Sequence, residues 1–168
     1  MIAVDEINAS ATAGTGGKGA AKMDGVAIAG ADGQKGAQAE AYGVYADNGA
    51  VITLSAKTDS GTLSGTITIG AKADNATSAE AYAVYADNAI VLFHDKAELN
   101  TSDGVSTTDN SVLTSLNNAT LGFGGTAANR TVTGGTLKLA GSNTFRVNTD
   151  LAAGMADKFT FDSLAAGS

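Results

Sequence analysis

The sequence predicts an all-β chain in which short parallel strands coil and stack as a solenoid. Three observations lead there. A ten-residue stretch recurs forty residues on: Ala39-Glu40-Ala41-Tyr42-Gly43-Val44-Tyr45-Ala46-Asp47-Asn48 returns as Ala79-Glu80-Ala81-Tyr82-Ala83-Val84-Tyr85-Ala86-Asp87-Asn88. A fixed period of this size marks a repeat architecture. Short β-prone runs are punctuated throughout by Asn, Asp and Gly, the residues of tight turns. The composition also leaves a conventional core to be built mostly from Val, Ile, Leu and Ala: 5% aromatic residues, no Trp, 22 Gly and no Pro in 168 residues. In a coiled stack the interior is narrow, so alanine, valine and occasional large side chains fill it, and each strand finds its hydrogen-bond partners on its neighbours.

Taken in order, residues 1–24 carry no sustained apolar pattern and read as a flexible lead-in or frayed first coil. Residues 25–130 read as coils. Their strands are Val26–Ile28, Tyr42–Tyr45, Val51–Leu54, Thr66–Ile69, Tyr82–Tyr85, Ile90–Phe93, Val112–Leu116 and Leu121–Phe123. Turns fall at Asp47-Asn48-Gly49, Asp59-Ser60-Gly61, Asp74-Asn75, Asp87-Asn88, Asp103-Gly104, Gly124-Gly125 and Gly134-Gly135. The period of forty accommodates two coils of about twenty residues. The repeat itself contains good helix formers, but its length and its Asp-Asn ending favour a strand. In a regular strand Tyr82 and Tyr85 point to opposite faces.

Residues 131–168 change character. Thr136-Leu137-Lys138-Leu139, Thr144-Phe145-Arg146-Val147-Asn148 and Lys158-Phe159-Thr160-Phe161 alternate cleanly, with Lys138, Arg146 and Lys158 opposite the apolar side. Such half-buried strands are compatible with antiparallel pairing, and a stack needs a cap to protect its last edge. A β-hairpin-like cap is the expectation. Leu137, Leu139, Phe145, Val147 and Phe159 are its structural residues.

Charge and composition exclude several functions. The net charge of −7 and the singly spread basic residues leave no basic patch for nucleic acid. Without Cys there is neither a disulfide framework nor a thiolate metal site. No apolar run is long enough for a membrane-spanning helix. Met1-Ile2-Ala3-Val4-Asp5-Glu6 lacks the features of a signal peptide, so an exported protein would be represented here by a processed form or an excerpt.

Catalytic signatures are weak. The single His94 lies in Leu92-Phe93-His94-Asp95-Lys96, a charge-rich turn. Ser60 and Ser64 lack a nucleophile elbow. Asp47 and Asp87 recur in register; turn chemistry accounts for them, and the glycine-rich calcium nonapeptide is missing. Gly14-Thr15-Gly16-Gly17-Lys18-Gly19 lacks the Lys-Ser/Thr ending of a phosphate loop. The expectation is therefore a non-enzyme with no catalytic residues, no cofactor and no metal.

The stretch from Gly135 to Phe159, with Asn148-Thr149-Asp150-Leu151, a glycine turn and then Asp157-Lys158 before another strand, resembles the C-terminal passenger segment of pertactin-like autotransporters. The Tyr-Gly-Val-Tyr-Ala-Asp-Asn-Gly repeat is similar to coil sequences in such passengers. The resemblance covers roughly residues 38–161. It implies a right-handed parallel β-helix, delivered by type V secretion to the surface of a Gram-negative-type bacterium, or secreted. It further implies a C-terminal outer-membrane β-barrel as partner and an autochaperone-like tail that seeds folding, with Asp150, Leu151 and Asp157 joining the apolar residues above as its structural and folding residues. On this reading the chain is a structural stalk or adhesin. Tyr42, Tyr45, Tyr82 and Tyr85 are its contact surface toward a host receptor, because Tyr is enriched at binding sites; packing within the coil is the plainer role for some of them. The rival expectations are a self-associating solenoid and, with only sparse basic residues to support it, a polysaccharide-acting β-helix enzyme.

Overall fold

Every regular element among the described residues is a strand. The computed structural model describes residues 2–4, 6–12, 20–23, 26–29, 36–56, 66–74, 76–99 and 113–165. In chain order the strands are β1 (Ile2–Val4), β2 (Glu6–Thr12), β3 (Ala20–Met23), β4 (Val26–Ala29), β5 (Gly36–Ala46) and β6 (Val51–Ala56). They continue with β7 (Thr66–Asp74), β8 (Ala76–Asp87), β9 (Ile90–Phe93), β10 (Lys96–Leu99), β11 (Leu113–Asn117) and β12 (Thr120–Phe123). The last are β13 (Thr131–Ala140), β14 (Thr144–Arg146), β15 (Thr149–Asp150), β16 (Met155–Ala156) and β17 (Lys158–Leu164). The turns expected at Asp59-Ser60-Gly61 and Asp103-Gly104 lie outside the described residues, as do Ser64 and the glycine-rich stretch 14–19.

Two parallel sheets carry the fold. One runs β1-β6-β9-β12-β14; the other runs β2-β7-β10-β13-β11-β8-β5, with β17 also on β13. Only β3–β4 and β15–β16 pair antiparallel among the described strands. β1 and β2, in the segment read as a lead-in, are paired to β6 and β7.

The expected right-handed parallel β-helix with a hairpin-like cap is corrected here. Coils of the expected length of about twenty residues would return at that spacing. Instead Tyr82 pairs with Tyr42 forty residues before it, Thr114 with Val84 thirty before it, and Leu139 with Leu116 twenty-three before it. The strand lengths explain why forty residues do not make two coils: β5 and β8 take 11 and 12 residues each. The eight-stranded sheet also branches. The first half of β13 pairs with β10 (Val132 to Ala97), and its second half with β11 (Leu137 to Thr114). The branch falls at Gly134-Gly135, which the sequence reading took for a turn. A Cβ on Gly134 would stand 3.1 Å from both Leu99 and Phe161, so a glycine lets three strands approach at this point. The tail is no hairpin cap either: β14 lies parallel on β12 and β17 parallel on β13, leaving only the two-residue pair β15–β16 antiparallel. Clean alternation specifies a half-buried strand but not its direction.

Parallel register lines like residues into columns through the core. Leu54, Phe93 and Phe123 form one; Ile52, Val91, Leu121 and Phe145 form another; Val44, Val84, Thr114 and Leu137 form a third. Phe93, Phe123, Leu54, Val91 and Leu121 are fully buried, and each such side chain stabilises the fold by about 1.5–3 kcal/mol relative to exposure.

One corner repeats down the stack. Asn48, Asn88 and Asn118 adopt left-handed φ values of 52°, 48° and 48°, and Gly141 takes the equivalent place at 65°. Asn tolerates this conformation better than other side-chain-bearing residues. The corners hydrogen-bond to one another: Gly49 N donates to Asn88 O, and Asn88 N to Asn117 O. At Gly141 a Cβ would crowd the Asn118 side chain, whose Oδ1 accepts from Ser142 N at 3.0 Å, so glycine suits this corner.

Candidate functional site

The repeat builds a cluster of four tyrosines. In β5, Ala39, Ala41, Val44 and Ala46 are buried, so the inward alternation skips one residue. The skip is a β-bulge: Leu113 faces Tyr82 and Thr114 faces Val84, leaving Ala83 as the extra residue. It places Tyr82 and Tyr85 on one face, where a regular strand would separate them. Their rings meet edge to face at 5.5 Å, as do those of Tyr42 and Tyr45 at 5.3 Å. Across the ladder Tyr42 stacks on Tyr82 at 5.0 Å and Tyr45 on Tyr85 at 5.2 Å, with ring planes within 5° and 3° of parallel.

The residue that differs between the two copies sits at this bulge. A Cβ on Gly43 would lie 2.7 Å from Ile69 Cγ2 and 2.9 Å from the Ala83 carbonyl oxygen, whereas Ala83 itself is fully buried. Exposure is graded across the cluster. Tyr45 is 51% exposed, Tyr42 and Tyr85 are half-buried, and Tyr82 is 5% exposed.

Carboxylates two residues away receive three of the phenols. Tyr42 donates to Glu40 at 2.5 Å, Tyr45 to Asp47 at 3.1 Å, and Tyr82 to Glu80. Burial first, then the bond to Glu40 and the charge of that carboxylate, pushes the Tyr42 phenol well above its usual range. Burial and Glu80 do the same at Tyr82, and the hydrogen bond to Asp47 chiefly raises Tyr45. An adjacent anion disfavours the phenolate, so these groups stay neutral hydrogen-bond donors.

The second constellation lies in the tail and centres on Arg130. Its Nη1 donates to the carbonyls of His94 at 2.9 Å and Gly124 at 2.8 Å, and its Nη2 to Thr126 O at 2.7 Å and Asp157 Oδ2 at 2.6 Å. Its Nε donates to Asp157 Oδ1 at 3.1 Å, and its guanidinium lies 5.0 Å from the centre of the Phe123 ring. Asp157 also accepts from the backbone N–H groups of Ala128 and Arg130. Burial alone would raise the Asp157 carboxyl, but the bonds from Arg130 and Ala128 and the guanidinium charge outweigh it and hold it below its ordinary value. Paired and fully hydrogen-bonded, this buried charge meets the condition under which such pairs are tolerated.

The remaining tail residues fall into three environments. Leu137 is buried, and Leu139 continues the Ala86–Leu116 column half-buried. Phe159 packs 4.8 Å from Phe123 and 5.6 Å from Phe145. Val147 is exposed, and Leu151 stands 93% exposed in the turn where Asp150 accepts from Ala153 N. Arg130 escaped the sequence reading because nothing in the small-residue run Gly124-Gly125-Thr126-Ala127-Ala128-Asn129 marks its end as an anchor. Its isolation among uncharged residues was the available signal.

Other polar groups tie neighbouring strands and corners together. Asp95 is buried and accepts from Ser55 Oγ and Ala56 N, both at 2.8 Å, tying β6 to the β9–β10 corner. His94 sits at that corner, its N–H on Leu54 O and its ring against Gly124. Asp87 accepts from Asn117 Nδ2 at 3.0 Å, and Asp47 O accepts from Ala50 N at 2.9 Å, both within the corner stack. Ser60 lies outside the described residues. Among the described residues no three His, Cys, Asp or Glu side chains converge as a metal site, and no helix is long and apolar enough to cross a membrane. No family model, no characterised protein and no solved structure matches this sequence.

Proposed function

We propose that the chain is a non-catalytic segment of a pertactin-like autotransporter passenger, exposed on the surface of a Gram-negative-type bacterium or released from it. It acts as a stalk or adhesin, and its C-terminal segment seeds folding during passage through its own outer-membrane β-barrel. The tyrosine face is the surface offered to a host receptor. The observation that carries this reading is the Arg130 latch. One buried side chain ties Asp157, just before β17, to the carbonyls of Gly124 and Thr126 and to His94 before β10. A tail so anchored presents parallel strand edges on which preceding strands can be laid, and each strand added satisfies the backbone of the one before. Folding against such a template outside the membrane would favour outward movement.

The test is surface display of the chain between a secretion signal and an outer-membrane β-barrel in a Gram-negative host. Phe145→Ser and Phe159→Ser should lower protease-accessible display well below wild type, while Tyr42→Ser should leave most of it. Equal display of all three variants would sink the proposal. Self-association is a second reading, favoured by the exposed Phe145, Val147, Leu151 and Leu164 on the tail. Sedimentation across a concentration series separates a monomeric spacer from a self-associating one.

A further inference from the structure

We propose that Tyr45 and Tyr85 form a site of oxidative cross-linking, at which a one-electron oxidant joins the two rings through a carbon–carbon bond between β5 and β8. The two rings are stacked at 5.2 Å with planes 3° from parallel. Phenoxyl radicals combine face to face, through the ring carbons next to the oxygen, so this is the approach the reaction requires. The backbone fixes it: Tyr45 pairs with Tyr85 and is flanked by the pairs Val44–Val84 and Ala46–Ala86, whose residues are all buried. Holding reactants at near-contact distance turns a bimolecular encounter into an intramolecular one and accelerates it by orders of magnitude.

Access and proton transfer are also provided for. Tyr45 is 51% exposed, so an oxidant in solution can reach it, whereas in the parallel pair Tyr82 is 5% exposed. The Tyr45 hydroxyl donates to Asp47 Oδ2 at 3.1 Å, and that carboxylate can take the phenolic proton as the electron leaves. Tyr42 stands edge-on to both rings, at 5.3 Å from Tyr45 and 5.5 Å from Tyr85, so a radical formed there has a short path to the stacked pair.

The step balances as follows. Each phenol gives up one electron and one proton. The two radicals form a bond between one Cε carbon of each ring. Each bonded carbon then passes its hydrogen to its own phenolic oxygen, restoring both aromatic rings. The electrons and protons reduce a peroxide to water through a haem peroxidase. The product is the same chain, lighter by two hydrogens, with a covalent staple between segments forty residues apart.

The experiment treats the whole chain, at low concentration, with a haem peroxidase and hydrogen peroxide, and maps the digest by mass spectrometry. The expected product is a monomer that has lost two hydrogens and yields a linked peptide pair containing Tyr45 and Tyr85. That link should vanish in Tyr45→Phe, which keeps the stacked ring, and should fall steeply when the chain is unfolded in urea. Interchain dimers as the sole coupled product, hydroxylated tyrosines without a link, equal linkage in the unfolded chain, or a link in the wild-type chain that maps only to another tyrosine pair would each overturn the proposal.

Discussion

Arg130 Nη2 and Asp157 Oδ2 stand 2.6 Å apart, with side chains 7% and 0% exposed. The pair is a junction, because the same guanidinium also holds the carbonyls of His94, Gly124 and Thr126. Removing one partner of a buried pair leaves the other charge without compensation, at a cost of about 3–5 kcal/mol. Asp157→Ala should therefore lower the unfolding free energy by an amount of this order, read as a lower urea midpoint with the slope of the transition unchanged. A change within experimental error would mean that water replaces the carboxylate and that the tail is not anchored there.

The same carboxylate sets an acid limit. Its native value is lowered, so the folded state binds the proton less readily than the unfolded chain. Its contribution is fully present above the ordinary aspartate value of about 3.9 and is lost as pH falls through the lowered native value. The thermal midpoint should decline on acidification below about pH 4, and Asp157→Asn should flatten that decline. An unchanged acid limb in the variant would assign acid sensitivity to other groups.

How much of this the amino-acid order discloses depends on how local the cause is. Every strand named in the sequence reading overlaps a strand of the structure, since alternation and turn residues act within a few positions. The corners at Asn48 and Asn88 were equally plain, whereas the one at Asn118 went unread. What stayed hidden was longer in range. The branch at β13 depends on β10 and β11 meeting successive halves of one strand, and the value of Arg130 depends on carbonyls up to 36 residues away. The tyrosine cluster was half visible: the repeat displayed the four rings, but a one-residue bulge decided which face they share.

That bulge leads to a prediction against the repeat. Matching the second copy would replace Gly43 by alanine, which consensus reasoning would favour. The added Cβ would meet Ile69 and the Ala83 carbonyl well inside contact distance. Gly43→Ala should destabilise by about 1–3 kcal/mol, the usual range for overpacking. Thermal unfolding checks it; a neutral result would show that β5 can shift outward at no cost.

Thr114 offers a change in the other direction. It is buried in the Val44–Val84–Thr114–Leu137 column, and its hydroxyl has no hydrogen-bond partner among the described residues. A buried polar group left unsatisfied costs about 1–3 kcal/mol. Thr114→Val keeps the branched shape and should stabilise the chain by about 1 kcal/mol, measured by chemical denaturation. Destabilisation would mean that the hydroxyl is solvated where it lies.

The stacking of Tyr42 on Tyr82 has a consequence for how such a chain lengthens through its gene. Because the two copies rest on each other with like residues in register, the surface a copy offers its predecessor is the surface its predecessor was already built to receive. A tandem duplication of this stretch therefore starts with a contact that fits, needing only local adjustments such as alanine for glycine at the bulge. Unequal recombination between the two near-identical stretches can add or remove such a unit together with its own corner asparagine, leaving the latch in the tail intact.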